Sequence, residues 1–81
     1  MTQAEVIAQL QPVFDDLFME EVVLTPQLSA DDVEEWNSLS QISLLLAVEQ
    51  KFGIRFRVGE VEATKNVGQF ADLIARRVAE K

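Results

Sequence analysis

The sequence predicts an all-α fold, a small four-helix bundle of three longer helices and one short third helix. Three observations predict it. Apolar residues recur at spacings of three and four in three separate segments, each of these segments opens on a helix-capping residue, and only one short run alternates as a strand would. The 81 residues, 48% of them apolar, suit a single domain spanning 1–81 with one compact core. A domain of this size buries only about 60% of its unfolded surface, so a stability of roughly 4–12 kcal/mol is expected.

The first helix opens with a T-x-x-E capping box made by Thr2 and Glu5, and Ile7, Leu10, Phe14 and Leu17 recur on one face. Pro12 interrupts that pattern, since its ring removes the hydrogen bond to the carbonyl of Ala8 and clashes there. A kink near Gln11, or two shorter helices, is expected. Thr25-Pro26 marks a break, and residues 27–35 read as a long loop with one helical turn around Asp31 to Glu34.

The second helix runs from about Ser38 to Phe52. Either Asn37 or Ser38 can serve as its N-cap, and Ser38 with Gln41 forms an S-x-x-Q capping box. Two apolar stripes can be drawn along it. Leu45, Val48 and Phe52, with Leu44 alongside, are expected to pack inward, while Leu39, Ile42 and Leu46 form a second stripe bounded by Ser43 and Glu49. The second stripe either faces outward or is buried between the first and last helices, as on a wide-faced bundle helix. Gly53 suits the C′ position that ends the helix.

Residues 54–58 alternate like a strand, and Val22-Val23-Leu24 is a conceivable partner. An isolated two-stranded ribbon is only marginally stable, so an extended loop pinning Ile54 and Phe56 into the core is preferred. Gly59 to Thr64 reads as the short third helix. Asn66 caps the last helix, Gln69 stands at N3, and Val67, Phe70, Leu73, Ile74 and Val78 form its inward face. Arg76, Arg77 and Lys81 complement the negative end of its dipole.

The start of the second helix is the most informative place in the chain. It gathers free backbone N–H groups and the positive end of the macrodipole around Ser38, which favours an added phosphate group and marks this serine as a site of modification. The run Glu35-Trp36-Asn37-Ser38-Leu39-Ser40-Gln41-Ile42, continued by Glu49-Gln50-Lys51-Phe52-Gly53-Ile54-Arg55-Phe56, resembles the acyl carrier protein family over nearly the whole chain. The family pattern is Asp-Ser-Leu at the start of the second helix. The resemblance implies that Ser38 carries 4′-phosphopantetheine, transferred from coenzyme A, and that the thiol of this arm holds acyl groups as thioesters. Asn37 replaces the usual aspartate, keeping the capping geometry but removing a negative charge beside the attachment point.

The resemblance further implies the partners: a phosphopantetheinyl transferase (holo-acyl carrier protein synthase), an acyl-loading ligase or acyltransferase, and the downstream enzymes of a pathway. Asn37, Leu39, Ile42, Leu46 and Glu49 are the residues expected to meet them. Carrier proteins of fatty-acid synthesis bear several carboxylates along the second helix. Here Ser40, Gln41, Ser43 and Ala47 take the outward positions, with Glu49 the main acid. Charge complementarity sets encounter rate and specificity, so this face predicts partners that use apolar and hydrogen-bonding contacts, as in a specialised fatty-acid, polyketide or secondary pathway. Trp36, before the Ser-Leu pair, also looks like specialised carriers, and equally suits packing where the loop meets the core.

Composition narrows the remaining classes. With no cysteine the chain has no disulfide and no thiol of its own, so any thioester needs a borrowed sulfur. A net charge of −7 disfavours nucleic acid and anionic membrane surfaces and favours basic protein partners, or merely aids solubility. The N-terminus lacks a signal-like core and no apolar run approaches the ~20 residues that cross a bilayer, so a cytoplasmic, soluble monomer is expected. Enzymatic activity is not expected: histidine, cysteine and tyrosine are absent, no base is placed to activate Ser38, and so small a bundle has little room for a closed pocket of ~300 Å³. Asp15-Asp16 and Asp31-Asp32 read as solvated charges, and the acidic loop lacks the spacing of a calcium-binding EF-hand. Two rival readings keep the same bundle. One is an aminoacyl or D-alanyl carrier loaded by an adenylating ligase; the other is an unmodified interaction module in which Ser38 only caps the helix.

Overall fold

In the computed structural model, which describes residues 1–57 and 59–80, the chain forms α1 (Gln3–Leu17), a 3₁₀ turn (Ala30–Asp32), α2 (Ser38–Phe52) and α3 (Val67–Ala79). No strand is present among the described residues, and 54–57 is extended chain. Val58 of the alternating run and Lys81 of the expected dipole complement lie outside the described residues.

Helix α1 starts as its capping box requires: Glu5 N–H donates to Thr2 Oγ1 at 3.2 Å and Thr2 N–H to Glu5 Oε1 at 2.9 Å. It then runs unbroken through Pro12, so of the two alternatives, a kink near Gln11 or two shorter helices, the second does not occur. The physical reason lies in its neighbours. Pro12 is exposed, while Leu10, Val13 and Phe14 around it are buried, and burying three such side chains at about 1.5–3 kcal/mol each outweighs one lost hydrogen bond. The buried face is also rotated from the expected one. Val6 and Val13 join Leu10 and Phe14 inside, whereas Ile7 and Leu17 are half-buried at the margin.

The central helix is α1, which packs against both α2 and α3. Leu44, Val48 and Phe52 of α2 and Val67, Phe70, Leu73 and Ile74 of α3 meet it in one core, joined by Phe18, Val22, Leu24, Val33, Ile54 and Val61 from the connections. The Cα radius of gyration is 11.5 Å, close to the ~12 Å of a well-packed chain of this length. Asn66 Oδ1 accepts the N–H of Gln69 at 2.8 Å, so the cap of α3 stands where the sequence places it. Gly53, at φ 66° and ψ 39°, ends α2 in the left-handed region, and Ile54 N–H reaches back to Glu49 O at 3.1 Å.

The short third helix does not form. Residues 59–63 are turns, with Ala63 N–H on Gly59 O and Thr64 N–H on Val61 O. Gly59 has φ 87°, which starts no right-handed helix, and Thr64 Oγ1 turns back onto Val61 O at 2.6 Å. Five or six residues give too few bonds to offset nucleation. The segment still packs through Val61, and the aromatic ring of Phe56 lies 5.8 Å from that of Phe70, so Ile54 and Phe56 are pinned as expected.

Side chains sew the long first connection down. Gln11 receives Leu24 N–H on its Oε1 and donates to Val22 O from its Nε2, taking the place of a neighbouring strand. Glu35 accepts Met19 N–H and Glu20 N–H. Val67 N–H and Gly68 N–H donate to Leu28 O and Pro26 O at 2.8 and 2.9 Å, and a Cβ on Gly68 would stand 3.0 Å from Pro26 O.

Candidate functional site

Asn37, and not Ser38, is the N-cap of α2. Its Oδ1 accepts the N–H groups of Leu39 and Ser40 at 3.0 and 3.1 Å, and its own N–H donates to Ser40 Oγ at 2.9 Å. The capping box is therefore Asn37/Ser40, one residue earlier than the Ser38/Gln41 pair. Asparagine wins because its short amide reaches two first-turn donors from an extended backbone at φ −118° and ψ −174°. Ser40 Oγ donates in turn to Glu35 O at 2.8 Å, tying the helix start to the loop.

Gln41 has another task. Its Oε1 accepts the indole N–H of Trp36, whose ring packs edge-on against Phe14 at 5.1 Å and 78°. Trp36 thus joins the loop to the core directly beneath the helix start. Gln41 is half-buried by this bond, and Ser40 and Ala47 are half-buried too, so these three are not the outward positions the sequence predicts. Ser43 is exposed as expected.

Ser38 is left with its side chain uncommitted. It is exposed at the first position of α2, and its hydroxyl makes no hydrogen bond among the described residues. Beside it opens a cleft of about 300 Å³ bounded by Trp36, Asn37, Ser38 and Gln41 on one side and by Val61, Thr64, Lys65 and Phe70 on the other. This is an open groove rather than a closed pocket. Its far wall was not foreseeable from the motif, because those residues lie more than twenty positions along the chain and are brought across only by packing around α1.

The second apolar stripe of α2 faces outward: Leu39, Ile42 and Leu46 are 79%, 60% and 56% exposed. Burial of both stripes, the competing expectation, does not occur. Leu44, Val48 and Phe52 supply the buried face and Leu45 is half-buried between the two. Glu49 differs from expectation, since its Oε2 accepts Phe56 N–H at 2.9 Å and the residue is half-buried. Asn37, Ser38, Leu39, Ile42 and Leu46 therefore run along one accessible side of α2, and Glu49 closes it from within.

A carboxylate away from this site is perturbed. Glu60 is held below the ordinary carboxylate value of 4.5, first by the backbone N–H of Arg57 and then by the Arg77 guanidinium that pairs with it. Among the described residues no three metal-ligating side chains gather, and no helix is long and apolar enough to cross a membrane.

No family model matches the sequence. An acyl carrier protein from Thermosynechococcus vestitus is 28% identical over 80 residues, covering 98% of this chain and 99% of that one. An acyl carrier protein from Acidothermus cellulolyticus is 40% identical over 50 residues, 62% of this chain and 60% of its own. The fold is similar to the solution NMR structure of the holo acyl carrier protein from Geobacter metallireducens, with a TM-score of 0.85 and 37% identity over 93% of this chain and 87% of that one.

Proposed function

The chain belongs to the acyl carrier protein family, and on that premise we propose that Ser38 is the attachment point of a 4′-phosphopantetheine arm. The observation that carries the proposal is the uncommitted Ser38 hydroxyl, exposed at the first position of α2 while Asn37 does the capping. A serine freed from capping has no structural duty at this place. That removes the basis of the reading in which Ser38 only caps the helix.

The surroundings fit the group. A phosphodiester on Ser38 would lie at the positive end of the α2 macrodipole, where an anion is stabilised by typically ~0.3–1 kcal/mol. The adjoining open cleft gives an extended chain somewhere to lie, with the cation of Lys65 on its far wall. When bound, the arm supplies the thiol that this cysteine-free chain lacks. In the transfer, the Ser38 oxygen attacks the phosphorus of coenzyme A that bears pantetheine, a phosphodiester forms and adenosine 3′,5′-bisphosphate leaves. The transferase must take the serine proton, since no base of this chain bonds to Ser38 among the described residues.

The chain's own part is to place and to hold. Asn37 and Ser40 fix the helix start, Trp36 and Gln41 brace it from below, and Leu39, Ile42 and Leu46 offer an apolar seat to partner enzymes. These partners are a phosphopantetheinyl transferase, an acyl-loading ligase or acyltransferase, and the enzymes that act on the thioester. A docking helix whose one acid is bonded to Phe56 N–H supports a specialised fatty-acid, polyketide or secondary pathway. Incubation with coenzyme A and a promiscuous transferase, followed by intact mass, tests the proposal. One phosphopantetheine added to the wild type and none to Ser38→Ala is the expected result; no gain in mass with several transferases overturns it.

A further inference from the structure

Charge is segregated along this chain in a way that bears on the docking helix. Residues 1–50 hold ten carboxylates and no lysine or arginine, whereas 51–81 hold all seven basic residues and four acidic ones. Three of the cations, Lys51, Arg55 and Arg57, are exposed around the C-terminal end of α2. Arg55 lines a concavity of about 420 Å³ with Leu46, and Arg57 lines another of about 330 Å³ with Ile42 and Leu46. The apolar stripe thus ends between two guanidinium-bearing residues.

These cations form no short ion pair, although Arg57 lies within the electrostatic reach of Glu60. Among the described residues none of the three side chains has an ion-pair partner, in contrast to Arg77, which pairs with Glu60 and Glu80. Of the nearby acids, Glu49 is bonded to Phe56 N–H and Glu60 to Arg77 and the Arg57 backbone, which leaves Glu62 as the exposed carboxylate sharing the second concavity. A polyanion such as nucleic acid or an anionic bilayer would have to approach a molecule of net charge −7, which is unfavourable over the ~10 Å reach of surface charge. A protein can place a few carboxylates where these cations are and none elsewhere.

We propose that the face made by Ile42, Leu46, Lys51, Arg55 and Arg57 docks on partner enzymes whose apolar seat carries an acidic rim at the end remote from Ser38. This inference rests on the carrier reading, which makes those enzymes the visitors to α2. Guanidinium groups meet carboxylates in paired, directional hydrogen bonds, so the rim fixes which way the helix lies. The fifteen residues of α2 span ~22 Å, so the cations orient the helix without touching chemistry at Ser38.

The test uses two phosphopantetheinyl transferases, one chosen for carboxylates and one for basic residues at the surface that receives this helix, with kcat/KM for modification measured at low and high ionic strength. The wild type is expected to favour the acidic-faced enzyme and Arg55→Glu/Arg57→Glu the basic-faced one, each by about tenfold at low salt and by less at high salt. Arg55→Lys/Arg57→Lys keeps the direction of the preference, which follows charge, but weakens it as the paired guanidinium contacts are lost. Arg76→Glu, on α3 and in neither concavity, changes the rates by less than about twofold. Either single charge reversal serves where the double variant does not fold. Modification whose enzyme preference ignores Arg55 and Arg57, or follows Arg76 equally, overturns the acidic-rim inference alone; failure of both enzymes to modify the wild type overturns the carrier reading and this inference with it.

Discussion

Asn37→Ala is expected to destabilise the apo-protein by about 1 kcal/mol and Ser38→Ala by less than about 0.5, because only Asn37 serves the first turn of α2. Asn37 Oδ1 holds two N–H groups at 3.0 and 3.1 Å, in bonds that are both open to solvent. Water replaces the lost acceptor there, so the cost is the net value of hydrogen bonds, roughly 0.5–1.5 kcal/mol, and not that of a buried unsatisfied donor. Against a total of roughly 4–12 kcal/mol this is large, and at ~4–8 °C per kcal/mol it is a readily measured fall in Tm. Asn37→Asp keeps the acceptor and adds a charge that suits the helix dipole, a gain of about 0.3–1 kcal/mol. Urea and thermal unfolding followed by circular dichroism measure all three. A Ser38→Ala loss equal to that of Asn37→Ala would refute the assignment of the cap, and with it the claim that Ser38 is unemployed.

Three further outcomes are expected. Phe14→Ala removes a fully buried ring from against Phe18 and Trp36 and should cost about 3–5 kcal/mol, a large part of the total, read as a drop in the urea midpoint; a loss under 1 kcal/mol would contradict the core described. Pro12→Ala restores a hydrogen bond on an exposed part of α1 and should raise stability by about 1–3 kcal/mol, so a lower Tm would show the proline to be favourable where it stands. Glu60 and Glu5 are both held below the ordinary carboxylate value of 4.5, so the stability they add is present above that pH and fades as pH falls through their lowered values. Glu60→Gln should flatten the acid limb of a stability-against-pH curve, and an unchanged limb would refute the pairing.

Much of the fold was legible because its strongest signals are local. Thr2-x-x-Glu5, Asn66 with Gln69, and Gly53 each fix a helix end by contacts within four residues, and all three ends stand where the sequence puts them. Where structure and sequence pattern part, two local signals compete. Asn37 and Ser38 are adjacent good caps, and choosing between them shifts the box from Ser40 to Gln41; Asn37 takes the cap because its amide reaches both first-turn donors, while Gln41 is claimed by the neighbouring Trp36 indole. Pro12 was overruled by buried neighbours, and residues 59–64 were too short a helix for their leading glycine. The outward stripe of α2 is legible in its spacing, whereas its exposure depends on where α1 and α3 pack, which no local pattern encodes. The cleft beside Ser38 was invisible for the same reason, since no short-range pattern joins residue 38 to residues 61–70.

The hydrogen bonds that fix the start of α2 have a consequence for the groove they flank. On that bank the Asn37 amide, the Ser40 hydroxyl and the Trp36 indole lock the chain from Glu35 to Gln41. The opposite bank is a string of turns packed through Val61 and tied by Glu60 to Arg77, with Phe70 of α3 behind it. A guest that widens this channel meets masonry on one shore and a hinged bank on the other, so the give is one-sided and the serine's footing stays level while it happens.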